Sequence, residues 1–163
     1  MKPNLQHRLT LLNQSGRKPR LQPLRNAVLT ALTEGKGRGG EVEILLADDE
    51  ALKELNMRMR GVDEATDVLT FPSDPAWPGM VGQIAISMDF AERGAKARGV
   101  TLTEETAFLA LHGALHLAGW EDESEEERDA MVAEMNRIAL LAGLKPDENW
   151  SSQPHTEGED SAS

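Results

Sequence analysis

The stretch ETAFLALHGALHLAGWED, residues 105–122, decides how this chain is read. From Ala107 to Leu117 it is almost wholly apolar apart from two histidines, and a helix that is apolar on every side belongs at the centre of a fold. Thr101 or Thr103, followed by Glu104 and Glu105, resembles a capped helix start. Gly119 can adopt the left-handed conformation that ends a helix and turns the chain back toward the histidines. Residues four apart share a helix face, so His112 and His116 can present two imidazoles to one ion. The alternative is a pair of core histidines bonded to backbone carbonyls. Asp122 follows six residues after His116, and a carboxylate oxygen is an acceptable zinc ligand that leaves a fourth position for water.

Working outward, the segments on either side alternate between the two regular periods. Leu9, Leu11 and Leu12 suggest a strand, and Pro23 opens a helix carrying Leu24, Val28, Leu29 and Leu32, which the loop Gly35 to Gly40 terminates. Val42, Ile44 and Leu46 alternate as a strand, and Asp48 or Asp49 caps a helix carrying Leu52, Leu55 and Met59. Thr66 to Phe71 and Val81 to Ile86 read as strands on either side of a turn-rich stretch, and Ser87 caps a helix ending near Arg98 and Gly99. A last amphipathic helix from about Ser124 to Ala142 turns Met131, Met135, Ile138 and Leu141 toward the core. The expectation is an α+β fold: a small mixed sheet of about four strands packed with about five helices, with a metal site on the central buried helix. Residues 1–144 form the single domain, and 145–163, polar, acidic and aperiodic, are expected to be a disordered tail.

At 163 residues the chain is long enough for one domain with a substantial core. It contains no cysteine, which excludes disulfides, a thiolate nucleophile and thiolate metal ligands. No run of about 18 apolar residues occurs, so a soluble, cytoplasmic protein is the expectation. The net charge of −11 is unevenly spread. Residues 121–163 hold 13 Asp/Glu against 3 Lys/Arg, whereas residues 1–40 hold 8 Lys/Arg and the single acid Glu34, so a basic amino-terminal surface can still meet phosphates.

The run His112 to Asp122 has the spacing of the long zinc-protease signature H-E-x-x-H-x-x-G-x-x-H, with two chemically meaningful changes. The glutamate that serves proteases as general base is Gly113, and the third histidine is Asp122. The run more specifically resembles the HGxLHLxGYDH motif of the YbeY family of endoribonucleases. Supporting blocks are EVEILLADDEALKELNMRMRG (41–61), TDVLTFP (66–72), VGQIAIS (81–87) and ETAFLALHGALHL (105–117). The resemblance implies a metal-dependent enzyme, zinc being the expected ion, that cuts single-stranded RNA in maturation of small-subunit ribosomal RNA and in ribosome quality control. Its partners would be ribosomal RNA, the small ribosomal subunit and the proteins of that subunit. It places the metal on His112, His116 and Asp122, and gives Arg60 a functional role that suits its planar fork for phosphate oxygens. Glu121, beside the proposed ligand, can orient a histidine or accept a proton.

The chain also departs from the family's usual pattern. Asp122 replaces a histidine and Glu121 an aspartate; Gln83 stands where Gly-Asp-Ile is usual; and Arg60 to Ala65 lacks the lysines of R-G-K-D-K-P. A ribosome-associated assembly factor that keeps the fold without turnover is therefore the alternative, and Gly113 counts against a protease. Asp63 and Asp67 are explained by a turn and a strand start. Phe71 offers either a stacking face or core packing, Met131 and Met135 read as core, and neither His7 nor His155 stands out.

Overall fold

The computed structural model of the chain describes residues 7–35, 39–74, 76 and 79–151. The period-two alternation around Val42 and Ile84 places one set of side chains on each face of a sheet. Its strands are β1 (His7–Asn13), β2 (Gly40–Ala47), β3 (Val68–Pro72) and β4 (Met80–Ser87). They lie in the order β1-β2-β4-β3, with β1, β2 and β4 parallel and β3 antiparallel to β4. The helices are α1 (Leu21–Glu34), α2 (Asp49–Arg60), α3 (Met88–Arg98), α4 (Leu102–Leu117) and α5 (Glu125–Ala142). This is the expected mixed α+β sheet, and β3 begins two residues later than Thr66.

One sheet face, with Val42, Ile44, Leu46, Val68, Ile84 and Ile86, packs against α1 and α4 in the main core, which α5 joins through those two helices. The other, with Ala47, Leu69 and Ala85, packs against Leu52 of α2, and Leu55 and Phe71 border that smaller cluster. Helix α4 lies on the first face with α1, α3 and α5 packed against it, and every residue from Glu105 to Leu115 is buried. That explains why it is apolar all round rather than striped. Thr101, not Thr103, caps it: its hydroxyl accepts from the Glu104 amide at 3.0 Å while Glu104 returns a bond to the Thr101 amide at 2.9 Å. Thr103 instead accepts from the Arg20 amide.

Helix α4 also approaches the sheet closely. A Cβ on Gly113 would lie 2.9 Å from Ile84 Cγ2 and 3.2 Å from Thr70 Cγ2, so the position facing β3 and β4 has no room for a side chain. A glutamate general base cannot be housed there, which removes the protease reading on steric as well as chemical grounds.

Two expectations require correction. Leu141 is 57% exposed rather than core-facing, because α5 turns only Met131, Met135, Ile138 and Ala139 fully inward; Met59 at the end of α2 is likewise exposed. The domain does not end at Leu144 either. Asn136 on α5 holds both backbone polar groups of Asp147: the Asp147 amide donates to Asn136 Oδ1 at 2.6 Å and its carbonyl accepts from Nδ2 at 3.3 Å. Trp150 is then inserted into the main core at 3% exposure. Polar composition hid that single aromatic anchor, which orders the segment together with the Asn136 and Arg98 hydrogen bonds. The remainder of the expected tail, including His155, lies outside the described residues.

Candidate metal centre

Helix α4 ends at Leu117 with Ala118 as its C-cap, and Gly119 follows with φ of 103°, the left-handed turn expected of it. The Trp120 amide returns to the Leu115 carbonyl at 2.9 Å, which folds residues 120–122 back over the last turn of the helix. The Trp120 carbonyl then lies 3.0 Å from His116 Nδ1. A carbonyl can only accept, so Nδ1 carries the hydrogen, and in the neutral ring Nε2 is left with a free lone pair.

That lone pair points into a cluster. His116 Nε2 is 3.2 Å from His112 Nε2, and Asp122 Oδ2 is 3.3 Å from His116 Nε2 and 3.4 Å from His112 Nε2. The three atoms form a nearly equilateral triangle with a buried corner at His112 and two half-exposed corners at His116 and Asp122. Among the described residues this is the one group of three or more histidine or carboxylate side chains able to hold a metal ion.

The electrostatics match the geometry. Hydrogen bonds with His112 and then His116, opposed by partial burial, hold the Asp122 carboxyl far below the usual carboxylate range. Burial by itself would lower His116, but the hydrogen bond and charge of Asp122, the Trp120 carbonyl and the nearby charge of Glu121 together raise it above its ordinary value. The Asp122 carboxylate and the His116 imidazole thus stand with the His112 ring around a space that suits one cation. The donor set, two nitrogens and one oxygen, fits a divalent ion of intermediate softness.

The structure does not bring all the expected site residues together. Arg60 is the exposed last residue of α2, the helix that covers the opposite sheet face, and among the described residues it makes no hydrogen bond or ion pair. Glu121 is exposed and acts on the cluster through its charge. Gln83 faces away from the histidines and donates to Glu43 at 2.8 Å. Phe71 borders the smaller core cluster, in keeping with a packing role. The amino-terminal basic residues are partly committed within the molecule: Arg17 pairs with Asp89 at 2.7 Å and Glu92 at 3.0 Å, and Arg8 reaches Glu41 at 3.9 Å. Trp150, whose ring centroid lies 5.3 Å from that of His112, was not foreseen from the sequence. Its only signal was an aromatic residue in an otherwise polar segment.

The chain resembles known proteins over most of its length. Residues 11–142 match the family model described as Endoribonuclease YbeY. A protein of that name from Moorella thermoacetica is 41% identical over 133 residues, covering 74% of this chain and 85% of the relative. Another, from Thermus thermophilus, is 42% identical over 131 residues, covering 77% and 94% respectively. The solution structure of TM1509 from Thermotoga maritima superposes with a TM-score of 0.57 at 26% identity, covering 90% of this chain and 98% of that one. The match spans the sheet, the buried histidine helix and the turn carrying Asp122, so the chain belongs to the Endoribonuclease YbeY family.

Proposed function

We infer that the chain is a metal-dependent endoribonuclease that cuts single-stranded RNA in ribosomal RNA maturation, with zinc held by His112, His116 and Asp122. The observation that carries this reading is the triangle of Nε2, Nε2 and Oδ2 with edges of 3.2–3.4 Å. Ligands about 2.0–2.1 Å from a tetrahedral zinc lie about 3.3–3.4 Å from one another, so the triangle matches one face of that tetrahedron. Magnesium prefers an all-oxygen octahedral shell, which supports zinc over magnesium for a set with two imidazoles. When bound, such an ion supplies Lewis acidity toward a phosphoryl oxygen and makes water a stronger acid.

The chain's own residues account for the rest. His112 is fixed by burial, while His116 and Asp122 stand at the accessible edge where a phosphodiester can approach. The Trp120 carbonyl holds His116 in the tautomer that keeps Nε2 bare. Arg60, unpaired among the described residues, grips phosphate oxygens of the RNA bidentately. Glu121 is placed to take up a proton at the exposed side of the cluster. Single-stranded ribosomal RNA in the small subunit, in the cytoplasm, is the substrate this reading implies. Among the described residues no helix is long and apolar enough to cross a membrane.

Metal content of untagged protein and cleavage of single-stranded RNA before and after chelation test the reading. One equivalent of zinc, chelator-sensitive cleavage and loss of both in His112→Ala are expected. Protein without stoichiometric metal whose cleavage ignores chelator sinks it. Metal-loaded protein that binds RNA without cutting it identifies an assembly factor instead.

A further inference from the structure

The two imidazoles of the cluster are held in different ways. His116 has the Trp120 carbonyl behind its ring, whereas His112 Nδ1 is buried and has no hydrogen-bond partner among the described residues. Metal-binding histidines ordinarily have their second nitrogen bonded to a carbonyl or carboxylate, which sets the plane of the ring. At His112 no partner among the described residues performs that task at Nδ1, and a contact at Nε2 alone leaves the ring free to turn about it.

The group against it is Trp150. Its ring lies 5.3 Å from the His112 ring at an interplanar angle of 48°, and 6.0 Å from Phe108 at 44°. Glu105, Phe108 and His112 occupy successive turns on one face of α4, and the indole covers that stripe. The indole is itself clamped. Its Nε1–H donates to the Glu105 carboxylate at 3.3 Å, Glu105 pairs with Arg98 of α3 at 2.6 Å, and the Arg98 guanidinium lies 5.3 Å from the Trp150 ring. The other amino group of Arg98 donates to the Ser151 carbonyl, which fixes the chain just past the tryptophan. With the Asn136 bonds to Asp147, residues 147–151 are thus tied at both ends.

We propose that Trp150 is a positioning residue for His112. Held by the Arg98–Glu105 pair, its indole wall fixes the imidazole plane that no described partner fixes at Nδ1, and keeps Nε2 aimed at His116 and Asp122. This rests on His112 being a metal ligand. The segment after α5 is therefore a working part of the metal centre, although it lies beyond the residues matched by the family model.

The test uses the full chain as Trp150→Phe, which keeps a ring; Trp150→Leu, which keeps bulk without a ring; and Leu52→Ala, which opens the core on the opposite sheet face. Zinc affinity is measured by competition with a chromophoric chelator. Melting temperatures, and the His112 ring nitrogen resonances of metal-free protein, are recorded alongside. Trp150→Leu is expected to weaken zinc binding by about ten- to a hundredfold, the range for loss of an outer-shell partner, and to broaden the His112 resonances. Trp150→Phe should retain both properties, and Leu52→Ala should lower the melting temperature while leaving affinity unchanged. Folded Trp150→Leu with wild-type affinity and sharp His112 resonances overturns the positioning role and leaves the three-ligand centre standing. Equal losses of affinity in Trp150→Leu and Leu52→Ala also overturn it, since general stability then explains the effect. Wild-type protein that binds no zinc removes the ligand assignment and this role together.

Discussion

Replacing Asp122 by asparagine removes one charge from the cluster while keeping the side chain's shape. The carboxylate lies 3.3 Å from His116 Nε2, with about a quarter of each side chain exposed. A unit charge pair at that distance is worth about 1 kcal/mol in water and about 5 kcal/mol at an effective dielectric of 20. Partial exposure and the cost of desolvation hold the net contribution to metal-free protein near about 1–2 kcal/mol. Its pH window follows from the two shifts. Asp122 is depressed, so its contribution is present above the ordinary carboxylate value of about 4 and is lost as pH falls through the lower folded value. His116 is raised, so its contribution is full below about 6.5 and is lost as pH rises through the higher folded value. Urea unfolding of chelator-treated wild type and Asp122→Asn at pH 5.5 and pH 9 should therefore show a gap at the first pH that narrows at the second. With zinc added, the variant should lose more affinity than the roughly ten- to hundredfold typical of an outer-shell change. A gap of equal size at both pH values would refute the carboxylate–imidazolium pairing.

Two further substitutions probe the frame around the cluster. Gly113→Ala forces a methyl group against Ile84 and Thr70, and should destabilise by about 1–3 kcal/mol in chemical unfolding; a neutral result would mean that α4 can move away from the sheet at no cost. Arg60→Ala should leave zinc content and melting temperature at wild-type values, because Arg60 is exposed and unpaired among the described residues, while RNA cleavage falls. Unchanged cleavage would remove Arg60 from the phosphate-binding role.

The elements were legible in the sequence wherever one physical cause acted locally. Ser87 caps α3 as read, α5 starts next to the expected Ser124, and the all-round apolarity of residues 107–117 marked the central helix because burial on every side leaves no polar face. What escaped depended on contacts distant in sequence. Leu141 satisfies helical spacing, yet α5 docks through a narrower stripe, and Leu140 and Leu141 both face outward. Trp150 sits in a segment whose composition argues for disorder, and only the pocket formed by α3 and α4 gives it a place. At the cluster, His112 and His116 follow from their four-residue spacing. The reach of Asp122 depends on a turn whose geometry is visible in the sequence only through Gly119.

The departures from the family pattern do not bear equally on the chemistry, and their positions sort them. Gln83 projects from the sheet face opposite α4 and is occupied with Glu43, so the missing carboxylate there lies outside the metal cluster. The altered run after Arg60 is exposed and lies outside the cluster of His112, His116 and Asp122, so the lost lysines do not bear on the three-atom triangle. Asp122 alone stands within the triangle. On the proposed zinc assignment, a carboxylate in place of an imidazole adds a negative charge beside the ion, so it should bind zinc firmly while the ion withdraws less electron density from water and phosphate. Asp122→His reverses that one change. If the substituted imidazole reaches the same corner, RNA cleavage at neutral pH should rise and its pH optimum should fall, with zinc stoichiometry unchanged. A variant that keeps its zinc yet cleaves no faster at any pH would show that the identity of the third ligand does not limit this enzyme.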